Sequence, residues 1–436
     1  FIGGLVTFLA MSYILVVNPG IASGTFSGNE AVGIPYGGVF FATAAGAAID
    51  TVVMALLANL PVALAPGMGV NAFFIGIIVV QKGFTWQEAL AASFIGGLIF
   101  LAISFTKLRK TLIQAIPSEL KAAIGAGIGF FIATVGLRLG GVFTYKDGFA
   151  LGDLSNPSVL LAIFSILLIV VLYMIKGKIS RFAFILSIVI TAAVGLVLGL
   201  LGVSGMPSFG TFDYSPLASI KDVAFVGVFE GFKTLFTHNI VEILVIIFAL
   251  VFVDIFDTAG TLIAVAKSAK LEDEQGNIPN IDKALLSDAI GTVISSTLGT
   301  PEITSYVEST TGVESGARTG FSGLVVAFLF LISIAVFPVF NIFTHSSVTA
   351  GALVMVGILM AQQLGHIDFS DTTAAISSFL TIIGMVLTGS VADGIAFGFI
   401  GYTLAKLAQG KAKDVHPIVY GSALLFVVYF GVMAIF

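Results

Sequence analysis

Apolar stretches close to the length of a membrane-crossing helix follow one another along this chain, with glycine, proline or charged clusters between them. A bilayer core takes about 20 apolar residues per helix. Runs such as 159–175 and 240–253 show no alternation of polar and apolar positions, which excludes the period-two signature of a membrane β-barrel. The pattern predicts helices over 1–17, 37–60, 67–80, 86–105, 118–137, 159–175 and 182–201. A polar, proline-containing connector at 202–238 follows. Beyond it come 240–265, 283–298, a broken segment at 300–312, then 320–339, 347–363, 372–387 and 392–407, with a last apolar segment at 417–436. The expected fold class is an all-α polytopic membrane protein of about fourteen transmembrane helices.

Composition sharpens this picture: 58% of residues are hydrophobic and 10% charged, against about 25% charged in soluble domains, so lipid is the main solvent. The net charge of −5, with basic residues scattered among short loops, offers neither a nucleic-acid face nor a polybasic tail. Without cysteine there is no disulfide, thiolate metal site or thiol nucleophile. The chain opens at Phe1 inside an apolar stretch, so residues ahead of it are expected, and that stretch lacks the cleavage site of a signal peptide. Basic residues follow even-numbered segments: Lys107, Arg109 and Lys110; Lys176, Lys178 and Arg181; Lys267 and Lys270; Lys406, Lys411 and Lys413. The positive-inside rule then puts the start of the chain in the cytoplasm.

Seven segments before the connector and seven after it invite a search for a repeat, and halves with an odd number of spans must be inverted. Asp50 to Asp288 and Asn71 to Glu308 span nearly the same interval. More telling are two matched interruptions, Ala65-Pro66-Gly67-Met68-Gly69 in the third segment and Gly299-Thr300-Pro301 in the tenth. Proline and glycine break helices. Irregular backbone at membrane depth is tolerated only where it lines a cavity or is buried in protein, so paired breaks point to a substrate site.

A charge at the bilayer centre costs roughly 2.5 to 3.5 kcal/mol, so intramembrane carboxylates are candidates for function. Asp254 and Asp257 stand at i and i+3, with Thr258 and Thr261 completing one polar helix face; the bland alternative is a helix end reaching toward the cytoplasm. Glu308 follows the tenth-segment break, and a helix opening at Ser309 and Thr310 would aim backbone N–H groups into a cavity; the alternative is a capping residue in a loop. Asn71 offers an amide donor and acceptor beside Phe73 and Phe74, a pairing suited to a planar heterocycle, although 40 phenylalanines make packing the plain reading of either ring. Asp50 serves structure or function equally well, and Glu302 is undecided. Glu314 and Arg318 read as a surface ion pair. The four histidines, His238, His345, His366 and His416, have no metal-like spacing. No catalytic set, metal site or phosphate loop is apparent, so neither an enzyme nor a cofactor is expected.

Thr7-Phe8-Leu9-Ala10-Met11-Ser12-Tyr13, the stretch Ala65 to Phe74, Val253 to Thr261, Thr304 to Gly320, and Lys411-Ala412-Lys413-Asp414-Val415-His416-Pro417 together resemble the AzgA-like purine permeases, nucleobase:cation symporters related to uracil and xanthine permeases. The resemblance spans essentially the whole chain. It implies fourteen helices in two inverted seven-helix repeats, with short β-strands where segments 3 and 10 break. It also implies a core of 1–106 and 240–343 moving against a gate of 107–239 and 344–436, in a multi-pass protein of the bacterial cytoplasmic membrane. The substrate ligands would fall on Asn71, Asp254 and Glu308, supported by Asp257. Pro301-Glu302-Ile303 departs from the small hydroxyl residues of relatives, which puts the exact base preference in doubt.

The function expected is proton symport of a purine base, hypoxanthine or guanine or else adenine, with Asn71, Phe73, Asp254, Glu308 and Ser309 contacting it. Several buried carboxylates cannot all stay ionised, so one carries the proton; Asp254 is the favoured group, with Asp257, Thr258 and Glu308 assisting. A carrier of xanthine or uracil, or an anion transporter of the same fold, is the alternative. The expected partners are the purine, protons and the lipid bilayer, with no nucleic acid; a homodimer stays open because lipid-facing and subunit-facing surfaces look alike in sequence.

Overall fold

A computed structural model describes residues 1–25, 33–106, 115–145, 149–175, 178–207, 214–271, 278, 280–341 and 345–435. The first apolar stretch forms two helices rather than one, α1 (Ile2–Met11) and α2 (Ile14–Ala22). Short-range bonds from the Leu15 and Val16 N–H groups to the Ser12 and Tyr13 carbonyls tighten the junction. Pro19, inside α2, donates no backbone bond. Next come α3 (Tyr36–Leu57), β1 (Leu64–Pro66), α4 (Met68–Phe73), a π-helical stretch (Phe74–Gln81) and α5 (Trp86–Ser104). A capping box starts α5, with the Thr85 N–H donating to Glu88 Oε2 at 2.8 Å and the Glu88 N–H to Thr85 Oγ1 at 3.2 Å.

The chain continues as α6 (Ser118–Leu139), a small hairpin of β2 (Phe143–Tyr145) and β3 (Phe149–Leu151), α7 (Pro157–Met174), α8 (Lys178–Arg181) and α9 (Ala183–Leu200). The polar connector is itself partly helical, with α10 (Ile220–Val223) and α11 (Val226–Thr234). Glycine at 227 and 231 lets α11 lie directly on α5: a β-carbon at Gly231 would stand 1.9 Å from the Gln87 carbonyl oxygen. The second half holds α12 (Ile240–Ala269), α13 (Ile281–Leu298), β4 (Ile303–Ser305), α14 (Ser309–Glu314), α15 (Phe321–Ala335) and α16 (Phe337–Asn341). It ends with α17 (Ser346–Ala361), α18 (Thr372–Thr388), α19 (Val391–Ala408) and α20 (Pro417–Ile435). Among the described residues seven helical stretches are long and apolar enough to cross a membrane. Large apolar side chains such as Leu167, Met174, Leu200 and Phe328 are exposed, as expected where lipid is the solvent. The basic clusters that set the orientation fall partly outside the described residues, at Lys107, Arg109, Lys110 and Lys176; the side chains of Lys178, Arg181 and Lys267 do as well.

The two interrupted segments meet. β1 and β4 pair antiparallel, Leu64 facing Ser305, Ala65 facing Thr304 and Pro66 facing Ile303. With no water at this depth, every backbone group in the break needs a partner. The Gly67 N–H donates to the Glu302 carbonyl at 3.3 Å and the Tyr306 N–H to the Ala63 carbonyl at 2.9 Å, extending the ladder at both ends. The Thr51 hydroxyl accepts from the Leu64 N–H at 2.9 Å, and Tyr306 Oη donates to the Pro66 carbonyl at 2.6 Å. Ser93 and Ser296 both donate to the Pro301 carbonyl. Gly299 ends α13 at φ +110°, a conformation that glycine takes without strain, and a β-carbon there would stand 2.1 Å from Val223 Cγ1. That is why the tenth segment breaks at this glycine.

The helices sort by contact. α15 lies along α3 and α1, and α13 along α3 and α5; separately, α17 lies along α6 and α7, and α18 along α19 and α6.

Candidate functional site

Glu308 precedes α14, just after β4, and is 8% exposed. Its Oε1 accepts a hydrogen bond of 2.7 Å from the Tyr13 hydroxyl. Tyr13, at the start of α2, stacks on Phe184 of α9 with ring centroids 4.9 Å apart and planes 19° from parallel. A helix does open at Ser309, but its first N–H groups are not free for a ligand. Ser309, Thr310 and Thr311 donate to the carbonyls of Tyr306, Val307 and Glu308 at 3.1, 2.9 and 3.0 Å. Ser309 Oγ accepts from the Ala63 N–H at 3.0 Å, so this residue braces the strand pair.

Asn71 lies in α4, fully buried, and the polarity of its amide follows from its neighbours. The Thr43 hydroxyl donates to the Val39 carbonyl at 2.7 Å, which uses its only proton, so toward Asn18 it can only accept. Asn18 therefore turns Nδ2 to Thr43 at 2.7 Å, and also to Thr300 Oγ1 at 3.1 Å. Its Oδ1 is left facing Asn71, whose Nδ2 donates to it. Asn71 Oδ1 is then a buried acceptor with no hydrogen-bond partner among the described residues. One helical segment thus holds both groups, Tyr13 fixing Glu308 and Asn18 fixing Asn71. Both are buried groups with acceptor oxygens, Glu308 through its carboxylate and Asn71 through Oδ1.

Asp254, 1% exposed, belongs to an adjoining cluster, its Oδ2 accepting from Thr292 of α13 at 2.7 Å. One turn further along α12, Thr258 donates to Asp288 Oδ2 at 2.6 Å and shares a 2.8 Å hydrogen bond with Thr304 of β4. The Asp254 helix is thereby tied to the strand pair through Thr258. Asp257 is in the same helix, and its side chain lies outside those described. Phe73 and Phe74 are packed into the main apolar cluster, 3% and 0% exposed, as core residues. Arg318 donates to the Val313 and Ala317 carbonyls; the side chain of Glu314, its expected partner, lies outside those described.

The sequence pattern described as the Permease family matches residues 1–397. The chain belongs to this family. The permease is 42% identical over 434 residues to the guanine/hypoxanthine permease PbuG of Bacillus subtilis, covering 98% of this chain and 95% of that one. It is 36% identical over 428 residues to the adenine permease AdeP of Escherichia coli, covering 98% and 91%. Among solved structures, the transmembrane domain of the cyanobacterium bicarbonate transporter BicA superposes with a TM-score of 0.62 at 17% identity, covering 91% of this chain and 96% of that one. The permease shares that transporter fold and is a multi-pass membrane protein whose relatives are transporters rather than enzymes.

Sequence reasoning missed the residues that hold the candidate site residues in place: Tyr13, Asn18, Thr43 and Thr292. A signal was present for two of them. Tyr13 lies in the largely apolar first segment and Asn18 directly after it, where an unsatisfied side chain is costly and so implies a partner across the bundle.

Proposed function

We propose that this permease imports purine nucleobases by proton symport with alternating access. The observation that carries the reading is two buried acceptors fixed by one segment, Glu308 held by Tyr13, and Asn71, held by Asn18, with an Oδ1 that has no hydrogen-bond partner among the described residues. Hypoxanthine and guanine offer ring N–H groups beside a carbonyl, and adenine offers an amino group. Paired acceptors bind such donors and leave an anion no cationic partner. The names of the relatives support the purine class and include both guanine/hypoxanthine and adenine carriers.

In this reading Asn71, Asp254 and Glu308 surround the base, Asp257 and Thr258 support Asp254, and Ser309 and Phe73 hold the frame. Asp254 carries the coupled proton, because a carboxyl out of water beside other acids favours its neutral form. Each proton driven inward contributes about 2.3 kcal/mol per 100 mV. The fourteen spans form two inverted repeats, a core of 1–106 and 240–343 sliding against a gate of 107–239 and 344–436. The segregated helix contacts and the matching strand-then-short-helix breaks support that division. Glu308 reaches the gate through Tyr13 and its stacked partner Phe184, which gives substrate binding a path to gate position.

Competition against labelled hypoxanthine uptake tests the proposal. Unlabelled guanine or adenine suppresses uptake, uracil does so weakly, and a protonophore removes accumulation. Uptake displaced equally by uracil, or by bicarbonate in place of purines, would overturn the substrate assignment.

A further inference from the structure

We propose that Asp50 is a second proton-binding group, holding the transported proton jointly with Asp254 at the contact between α3, α12 and α13. The inference deepens the proton-symport reading and rests on it.

Asp50 sits in the middle of α3 with 0% exposure, and neither carboxyl oxygen has a hydrogen-bond partner among the described residues. The group is pressed against bare backbone: a β-carbon at Gly291 would stand 2.8 Å from Asp50 Cγ and 2.9 Å from its Oδ2. Glycine at 291 is what admits this carboxyl between α3 and α13. Asp288 lies about one helical turn before Gly291, and Thr292, which donates to Asp254, directly follows it. Carboxyls from three helices thus gather along one stretch of α13, and Asp50, without a hydrogen bond among the described residues, is pressed against its backbone at Gly291.

The remaining elements packed on α3 bring no compensating charge. Within α2, α15, β1 and β4 there is no titratable side chain, and Lys221 and Asp222 of α10 are exposed near the Gly38 end of α3. A lone carboxylate in such surroundings is strongly disfavoured, so the group must be neutralised by a proton or a bound cation. A proton needs only one oxygen. In this proposal Asp50 and Asp254, packed on the adjacent residues Gly291 and Thr292 of α13, titrate as a unit, so one proton is shared by them and is released when the cluster opens to water.

The test uses the full chain reconstituted in vesicles, with labelled hypoxanthine, at 100 mV inside negative. One coupled proton gives wild type an accumulation of about 50-fold. Asp50→Asn, which keeps the shape and removes the titration, should bring accumulation close to unity and flatten the pH dependence of uptake. Asp50→Glu should restore proton-driven accumulation with a displaced pH profile, which a purely structural Asp50 would not do. Proton-driven accumulation by Asp50→Asn with an unaltered pH profile would overturn the proposal. If Asp50→Asn does not fold, infrared spectroscopy of the folded wild type at neutral pH decides. A protonated-carboxyl band that shifts on adding hypoxanthine is expected, and its absence overturns the proposal. Wild-type uptake indifferent to pH and protonophore but driven by sodium would instead defeat the symport reading itself, and this inference with it.

Discussion

Glu308→Gln should leave the permease folded and lower purine uptake on the order of 100-fold. The substitution keeps the size of the side chain and exchanges a charged acceptor for a neutral amide. A hydrogen bond to a charged group is worth about 1.5 to 3 kcal/mol, and each 1.4 kcal/mol is a factor of ten in affinity. The amide brings a second penalty: with its oxygen held by the Tyr13 hydroxyl, its NH2 group would face the N–H edge that Glu308 is proposed to accept from. Tyr13→Phe removes the 2.7 Å bond that holds Glu308 and should cause a smaller loss, about tenfold, expressed mainly in KM. Uptake initial rates in vesicles, with thermal melting of the purified proteins as a folding control, measure both. Full uptake by a folded Glu308→Gln protein would remove this residue from the site.

Asp254→Asn should abolish accumulation against a gradient. Asp254 is 1% exposed, and an asparagine can still accept from Thr292 at the same place, so the contact between α12 and α13 survives while the titrating group is lost. The internal-to-external ratio of labelled hypoxanthine should fall from about 50-fold, for one proton at 100 mV, to about one. Proton-dependent accumulation undiminished in this variant would reject Asp254 as the coupled group. The two substitutions separate two tasks. Loss at Glu308 appears as weak binding at any driving force, whereas loss at Asp254 appears as failure to respond to the driving force.

The paired breaks were readable because glycine and proline leave a local mark on sequence, and Gly299 at φ +110° is a position where that mark has a backbone cause. Intramembrane Asp254, Glu308 and Asn71 stood out for a similar reason, since polar groups are costly at membrane depth. The orientation of those groups was not readable. That Asn71 Oδ1 is the amide atom without a partner among the described residues depends on a relay through Val39, Thr43 and Asn18, which are brought together only by the packing of α2, α3 and α4. Ser309 was expected to offer N–H groups to a ligand, but three-residue backbone bonds and the Ala63 N–H consume that capacity, and no local pattern announces either. The connector helix α11 escaped notice because its glycines, which read as loop residues, serve close packing on α5. For Phe73 the sequence allows both a ligand contact and plain packing, and the ring lies in the main apolar cluster.

The central claim is that a purine is read by its N–H donors against Glu308 and Asn71 Oδ1, and a structure of the permease with hypoxanthine bound tests it most directly. The account predicts ring N–H groups about 3 Å from the Glu308 carboxylate and from Asn71 Oδ1, beside the β1–β4 pair. A base bound elsewhere, or one facing these two residues with its carbonyl oxygen and bare ring nitrogens, would contradict it.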